Sequence, residues 1–364
     1  MKIAVPNMGS LRIVARGIFE PLGFEVILPP PMNKNTIAIG IKYAPEFACF
    51  PLKAVLGDFI LASRMGAEYL LILGGNGPCR FGWYGVTLDT ILHDLGYESR
   101  VLILDAPYEE WAKPAYKILG VLNHRLKVRD MLRAFFTGYL KLRLVEFAEE
   151  LARRTRPYQL NIGDADKALK EAMKMIDKEF SLIRLRKMKK DIIDLFEGIP
   201  KDTSRDPVRI GIVGEIYMVT ENALNLNIES KLGNMGALVD RSHVSIWNYV
   251  ASNFRINFSY KKAIKKARKY LKYHAGGESI YSVGFTRIYA EEGFDGVVHI
   301  MPLGCMPEIV AQSVMNRIGK EYDLPMLEMT LDQHTSEAGL ITRLEAFYDL
   351  LVRRKRHKRF KKSK

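Results

Sequence analysis

Short apolar runs alternate with amphipathic segments along much of the chain, and this alternation is what most constrains its fold. The run from Tyr69 to Leu73 lies between Gly66 and a glycine-rich stretch that begins at Gly74. Short apolar runs bounded by turn residues predict buried strands, and the segments between them have helical spacing. Thr36 to Ile41 is predicted as a further short strand. The alternation predicts an α/β protein with mostly parallel sheets covered by helices on both faces.

The alternation is interrupted once, and this divides the chain into segments. Residues 1–107 form the first predicted α/β domain. Residues 108–198 have apolar side chains at helical spacing and predict a helical insertion without strands. A polar linker, residues 199–207, leads into a second predicted α/β domain over residues 208–352. Residues 353–364 are predicted to be a basic, disordered tail.

Composition and charge narrow the class of protein. The 364 residues are 48% hydrophobic and 26% charged, which is typical of a globular protein with room for two cores. No apolar run is long enough to cross a membrane, and the amino terminus lacks the pattern of a signal peptide. We therefore expect a cytoplasmic protein with no membrane partner.

The net charge of +14 is concentrated in the tail. Residues 353–364 carry nine of the 55 Lys and Arg residues and no acid, so the body of the chain has a net charge of only +5. This distribution argues against a nucleic-acid partner for the body. For the tail two interpretations stay open: a solubilising terminus, or a segment that binds RNA or an anionic partner.

The three cysteines, Cys49, Cys79 and Cys305, lie in loops next to helix-like segments, and each has a proline within two residues. An odd count with no signal peptide argues against a disulfide framework. Helix amino termini lower the pKa of a thiol, and Gly77 and Gly304 allow the backbone to approach a bound sulfide. Alternatively, the three cysteines are inert, buried thiols that bind nothing.

Our hypothesis is that the three thiolates bind one [4Fe–4S] cluster. Ligands of open α/β sheets collect outside the carboxyl ends of the strands. Cys79 and Cys305 follow strands of different predicted domains, so we expect a shared site between the domains. Three cysteines leave one iron without a protein thiolate, open to water or a substrate oxygen. A zinc site with three cysteines and a histidine is the competing interpretation, although no short Cys-x-x-Cys or Cys-x-x-His spacing supports it.

Two further residues are candidate catalytic groups. Glu215 follows an apolar strand and is a candidate acid or base; a helix cap or a salt bridge is its structural alternative. His274 precedes Gly276 and Gly277 and is a candidate phosphate ligand or proton donor. An ordinary surface histidine is the alternative there.

The cysteine motifs resemble those of a known superfamily. The stretches at residues 47–53 (FACFPLK), 77–82 (GPCRFG) and 304–308 (GCMPE) resemble the 2-hydroxyacyl-CoA dehydratase D-component superfamily. The similarity is closest to its acyl-CoA dehydratase activase-related, or CoA-activase-associated, branch. Additional similar segments are residues 213–217 (VGEIY), 274–277 (HAGG) and 337–347 (EAGLITRLEAF). The resemblance runs from about residue 35 to residue 352.

The resemblance implies two flavodoxin- or Rossmann-like domains and a [4Fe–4S] cluster held by three cysteines. It also implies a separate ATP-hydrolysing activator that delivers low-potential electrons, a candidate acyl-CoA substrate, a homo- or heterodimer, and a place in anaerobic metabolism. Two functions stay open: a lyase or related ATP-dependent reductase component, and a non-catalytic electron-transfer or scaffold subunit. The chain has no P-loop, because the glycine-rich stretch before Cys79 lacks the Lys-Ser/Thr ending.

Overall fold

The computed structural model describes residues 1–74, 79–104, 127–241, 244–248 and 258–362. The chain divides into two compact units, each containing one sheet. Unit 1 comprises Met1–Val145, Met175–Met188 and Ile246–Asn257, and unit 2 comprises Glu146–Lys174, Lys189–Ser245 and Phe258–Lys364. The domain boundaries expected at residues 107, 198 and 207 stay predictions. No helix in the described ranges has the length and apolar character needed to cross a membrane.

Unit 1 is built on a four-stranded parallel sheet. Its strands are β1 (Lys2–Ala4), β2 (Glu25–Ile27), β3 (Tyr69–Leu73) and β4 (Arg100–Leu104). The helices between them are α1 (Leu11–Phe19), α2 (Lys34–Tyr43), α3 (Phe50–Arg64) and α4 (Phe81–Asp94), with a short 3-10 turn at Glu20–Leu22. The strand order is β2-β1-β3-β4, so β1 and β3 are central. Ile3 of β1 pairs with Val26 on one side and Tyr69 on the other, and it belongs to the buried core.

Three helices follow unit 1's strands and supply residues to both units. They are α5 (Val128–Thr155), α6 (Asp164–Lys178) and α7 (Leu182–Glu197). No strand interrupts them within the described part of residues 108–198, so the predicted helical region between two sheets is confirmed.

Unit 2 contains a second four-stranded parallel sheet. Its strands are β5 (Arg209–Gly214), β6 (Leu238–Asp240), β7 (Gly296–Pro302) and β8 (Met326–Leu331). The helices are α8 (Ile216–Thr220), α9 (Asn222–Asn225), α10 (Ile228–Asn234), α11 (Phe258–Ala267), α12 (Ser279–Glu291), α13 (Met306–Glu321) and α14 (Glu337–Lys362). The strand order is β6-β5-β7-β8. All seven residues of β7 are buried, as expected for a central parallel strand.

The two sheets have the same topology, which confirms the predicted α/β architecture. In each sheet the first strand along the chain lies between the second and the third, and the fourth is at an edge. The chain therefore reverses direction across the sheet between the first and third strands. Such a switch point leaves a crevice at the carboxyl ends of these two strands, which is where ligands of open α/β sheets bind.

The strand predicted at Thr36–Ile41 is wrong, because these residues belong to α2. The Asn33 side chain caps this helix and accepts hydrogen bonds from the amides of Asn35 (2.9 Å) and Thr36 (3.2 Å). Gly40 lets α2 pack directly on α3, since a Cβ there would lie 1.7 Å from the Lys53 carbonyl oxygen. Gly57 of α3 makes the reciprocal contact, and its Cβ would lie 2.0 Å from the Thr36 carbonyl oxygen.

The end of the chain also departs from the prediction. Residues 353–362, expected to be disordered, continue α14 as a helix. Acidic residues distant in sequence bind its basic side chains: Arg354 contacts Asp323 at 2.6 Å, and Lys355 contacts Asp206 at 2.9 Å. These ion pairs fix the basic segment to unit 2.

We predict that Gly40→Ala destabilises unit 1 by about 1–3 kcal/mol, because the added methyl group overlaps the backbone of α3. Gly339→Ala is the matched control. Its Cβ would meet nothing closer than 3.9 Å, so the same change in a helix should be neutral or stabilise by up to about 1 kcal/mol. Denaturant unfolding of both variants tests this. Equal stability of the two variants contradicts the close helix contact.

Candidate functional site

Cys49 lies at the amino terminus of α3. It is the N-cap residue, with an extended backbone (φ −68°, ψ 157°), and Pro51 occupies the first turn of the helix. Its carbonyl oxygen accepts a hydrogen bond from the Leu52 amide at 3.1 Å. Since α3 leads back to the start of β3, its own start lies toward the carboxyl end of the unit 1 sheet. The first-turn amides of α3 point toward the Cys49 position.

Cys79 lies two residues before α4, in the segment that follows β3. Its carbonyl oxygen accepts a hydrogen bond from the Gly82 amide at 3.2 Å. Gly77, the other glycine expected to cradle a cofactor here, lies outside the described residues.

Two contacts connect the Cys49 and Cys79 loops within unit 1. The Arg80 guanidinium, next to Cys79, donates a hydrogen bond to the Phe47 carbonyl oxygen at 3.1 Å. The sulfur of Cys49 contacts the hydroxyl of Tyr84, which is buried in the second turn of α4. These contacts hold both cysteines on the same side of unit 1, at the carboxyl end of β3.

A buried clamp fixes the neighbouring loop of unit 1. Asp58, fully buried in α3, accepts hydrogen bonds from the Asn7 backbone amide (2.7 Å) and the Asn7 side chain (2.9 Å). Asn7 follows β1 and also donates to the Pro30 carbonyl oxygen at 2.9 Å. The clamp therefore joins the loop after β1 to the helix that begins at Cys49, across the switch point of the sheet.

Cys305 occupies the corresponding position of unit 2, after the third strand of the sheet. It is buried and is the N-cap residue of α13, with Pro307 in the first turn. The preceding residue, Gly304, has a φ of +74° and open space where a side chain would project. The turn therefore favours glycine at this position.

None of the three cysteines is in a disulfide. Cys49 and Cys79 belong to unit 1 and Cys305 to unit 2. Convergence of all three sulfurs on one cluster stays a prediction.

A buried acid–base pair lies beside the Cys305 turn. Glu308, in the first turn of α13, contacts Nε2 of His299 of β7 at 2.8 Å, and both side chains are fully buried. Within the described residues, the second carboxyl oxygen of Glu308 and Nδ1 of His299 have no hydrogen-bond partner. Unsatisfied buried polar atoms are costly, so they mark a site that a ligand, water or ion can complete.

Glu215 caps a helix, which is one of the two structural roles considered for it from the sequence. Its carboxylate accepts hydrogen bonds from the amides of Tyr217 (3.1 Å) and Met218 (2.8 Å) at the start of α8. Burial and, to a smaller extent, the Glu308 carboxylate nevertheless raise its pKa to about 7. A carboxyl group with this pKa can donate or accept a proton near neutral pH.

Glu278 is a third acidic residue of this group. It is buried next to the start of α12, and burial together with Glu308 and Glu215 raises its pKa to about 8. Glu308 raises the pKa of both Glu215 and Glu278, and Glu215 also raises that of Glu278, so the carboxyl groups interact electrostatically. We refer to Glu215, Glu278, Glu308 and His299 as the acid cluster. It lies in the same unit as Cys305, and Glu215 and Glu308 both come from segments at the carboxyl end of the sheet.

His274 is exposed and has a structural contact. Its Nδ1 accepts a hydrogen bond from the Gly276 amide at 2.9 Å, and its ring lies edge-on to Tyr281. The contact orders the loop before α12 and leaves Nε2 as the nitrogen available for a ligand or a proton.

Sequence reasoning found the cysteines, Glu215 and His274 but missed the rest of the acid cluster and Tyr84. Glu308 had a local signal, since an acid three residues after an N-cap lies in the first helical turn. His299 lies within an apolar run, which predicts a core residue, and its partner is visible only in the fold. Nothing in the local sequence distinguishes Glu278 from a surface acid.

Exposed apolar side chains surround the cysteine loops of both units. Phe47 and Trp83 are 81% and 73% exposed near Cys49 and Cys79, and Leu303 and Met306 are 61% and 40% exposed on either side of Cys305. Large exposed apolar groups grouped in this way are typical of surfaces that become covered.

The chain matches no protein-family model and no curated protein. Within the described residues, no group of three or more His, Cys, Asp or Glu side chains has the geometry to hold a metal ion.

We predict that Glu278→Gln changes the pH dependence of stability. The folded pKa of about 8 lies above the unfolded value of about 4.3, so between these values the folded state binds more protons and stability falls as the pH rises. The variant should remove this loss, which is at most about 1.4 kcal/mol per pH unit. Unfolding measured from pH 5 to 9 should therefore show an advantage of the variant that grows with pH.

The matched control is Glu345→Gln, which makes the same change at an exposed position of α14. It should follow the wild-type profile. An unchanged pH profile for Glu278→Gln contradicts the raised pKa of Glu278.

Proposed function

We propose that the chain is a cytoplasmic iron–sulfur protein that holds one [4Fe–4S] cluster through Cys49, Cys79 and Cys305. We further propose that it accepts low-potential electrons from a separate ATP-hydrolysing activator for radical dehydration or reduction of an acyl-CoA thioester. The observation that carries the proposal is the joining of two cysteine loops in unit 1, together with a third cysteine at the equivalent turn of unit 2.

The chemistry of the donor set fits such a cluster. Cysteine thiolates are the usual ligands of iron–sulfur clusters. Two of the three cysteines are N-cap residues, where free amide groups and the helix dipole favour the thiolate and a negatively charged bound group. When bound, the cluster would supply one-electron chemistry and one iron open to a substrate oxygen.

The surrounding residues have roles that follow from their own chemistry. A thiolate at Cys49 can only accept a hydrogen bond, so the Tyr84 hydroxyl must be the donor in their contact. Glu215 and Glu278, with pKa values near 7 and 8, can exchange protons near neutral pH, which dehydration of a hydroxyl group requires.

The second candidate is a non-catalytic electron-transfer or scaffold subunit of the same kind of system. The exposed Phe47 and Trp83 favour it, because aromatic side chains grouped on a surface are typical of protein interfaces. Turnover of a CoA thioester that depends on ATP and the activator distinguishes the two candidates. It is expected for the enzyme and absent for the accessory subunit.

We predict that the protein, purified without oxygen, contains about four irons and four sulfides per chain and a paramagnetic signal on reduction. Single replacement of Cys49, Cys79 or Cys305 by Ala should lower iron content, because each removes a ligand. Iron analysis and electron paramagnetic resonance measure both.

The control is Ser282→Ala, which shortens a small buried side chain of unit 2 that is not a proposed ligand. This variant should contain as much iron as the wild type. Iron-free protein that cannot be reconstituted anaerobically contradicts the proposal. A cysteine whose replacement leaves the iron content unchanged is not a ligand.

We also predict that Tyr84→Phe shifts the reduction potential to a more negative value without loss of iron. A hydrogen bond to a ligating sulfur stabilises the more negative, reduced form, so its removal disfavours reduction. Tyr97→Phe, on a tyrosine whose hydroxyl accepts from Arg64 on the surface, is the matched control. Redox titration of both variants measures the shift; equal potentials contradict a role for the Tyr84 hydroxyl.

A further inference from the structure

A basic cavity lies in unit 2 at the amino end of its sheet, away from the cysteine turn. Its volume is about 400 Å³, within the range of small-molecule sites. Residues just before β5 and β6 contribute to it, as does the last part of α14. The acid cluster and Cys305 are not among its lining residues.

Four cations and one anion line this cavity. The cations are Arg205, Lys355, Arg356 and Arg359, and the anion is Asp206, so the lining carries a net charge of +3. Concentrated positive charge in a concave site raises the local concentration of anionic ligands.

Contacts with other residues engage three of these cations at the rim. Asp206 accepts from Lys355 at 2.9 Å and also contacts Arg359. Lys355 donates to the Pro207 carbonyl oxygen at 2.7 Å and is only 22% exposed. The Arg205 guanidinium donates to the Pro157 carbonyl oxygen at 3.3 Å. Arg205, Lys355 and Arg359 are therefore held by other residues of unit 2.

Some N–H groups of the arginine side chains are not used in these contacts and can donate hydrogen bonds to a ligand. A guanidinium carries five N–H groups, and one nitrogen of Arg359 is engaged by Asp206. Within the described part of the chain, Arg356 has no hydrogen-bond or ion-pair partner. Planar guanidinium groups with free N–H donors are the preferred partners of phosphate oxygens.

The other side of the cavity is lined by apolar side chains. Pro157, Val208, Met235 and Val352 contribute to it. The half-buried Tyr348 completes it, with its hydroxyl packed on Gly236, where a Cβ would lie 2.8 Å away. An aromatic ring and apolar side chains beside a cationic rim suit a molecule with a planar base at one end and phosphates at the other.

We propose that this cavity binds an adenosine phosphate, with the base against Tyr348 and the phosphates on Arg356 and Arg359. The inference does not depend on the proposed iron–sulfur function. A free adenine nucleotide and coenzyme A both contain an adenosine phosphate. Their relative affinities for the protein identify which of the two is the ligand.

The test measures binding of ADP, ATP and coenzyme A to the full-length protein by calorimetry. Adenosine lacks phosphates and tripolyphosphate lacks the base, so each should bind at least about ten-fold more weakly than ATP. Arg356→Glu should weaken nucleotide binding about ten-fold or more, since it replaces a phosphate ligand with a repelling charge. Iron content should be unchanged in this variant, which separates this result from that of the iron–sulfur proposal.

Lys361→Glu is the matched control, because it makes the same charge change on an exposed residue of the same helix that does not line the cavity. It should bind nucleotides as the wild type does. Equal weakening by both variants, equal affinity for ATP and tripolyphosphate, or no binding at millimolar nucleotide overturns the proposal. A single-stranded RNA oligonucleotide whose binding both variants weaken equally would identify an extended basic surface instead.

Discussion

Parallel pairing of the eight strands in the described part of the chain is the constraint from which the sites follow. A parallel strand must be followed by a crossover, so the loops that leave the strands all emerge at one edge of a sheet. In unit 1 this edge holds Asn7 after β1 and Cys79 after β3. The buried Asp58 joins Asn7 to the helix that begins at Cys49. Desolvation of this carboxylate is costly unless it is hydrogen-bonded, so the clamp also fixes where α3 begins relative to the sheet.

A comparison of two buried acids of unit 2, Glu229 and Glu278, shows why the acid cluster is a candidate site. Glu229 is buried like Glu278, but it contacts Arg153, Arg156 and Arg241, and these cations hold its pKa well below its usual range. The pKa of Glu278 is raised instead, because burial, Glu308 and Glu215 act on it, and none of the described groups that shift it is a cation. Burial alone therefore does not explain the difference. An arrangement that keeps several carboxyl groups close together at a cost in stability is more typical of function than of packing.

Structural elements that depend on local sequence patterns could be predicted from the sequence. Elements and sites that depend on contacts between distant residues could not. The apolar run from Tyr69 to Leu73 predicted the central strand β3, since a buried parallel strand is apolar along its whole length. Thr36–Ile41 was misassigned because its helix depends on contacts between Gly40 and the backbone near Lys53 of α3. The run of basic residues predicted a disordered tail. The ion-pair partners that order it, Asp206 and Asp323, are distant in sequence and could not be recognised from the local pattern. Glu278 and Glu308 influence each other only after some thirty residues of chain have folded.

The geometry of the second sheet separates its two candidate sites. β5 runs from Arg209, next to the cavity lined by Pro207 and Val208, to Gly214, next to Glu215. Six residues of extended chain span about 20 Å, and none of the cations that line the cavity is among the groups that shift the pKa values of Glu215 and Glu278. The cations at the amino end therefore contribute little to the pKa values at the carboxyl end. Charge changes in the cavity should leave the acid cluster undisturbed, so the two sites can be studied as independent parts of one unit.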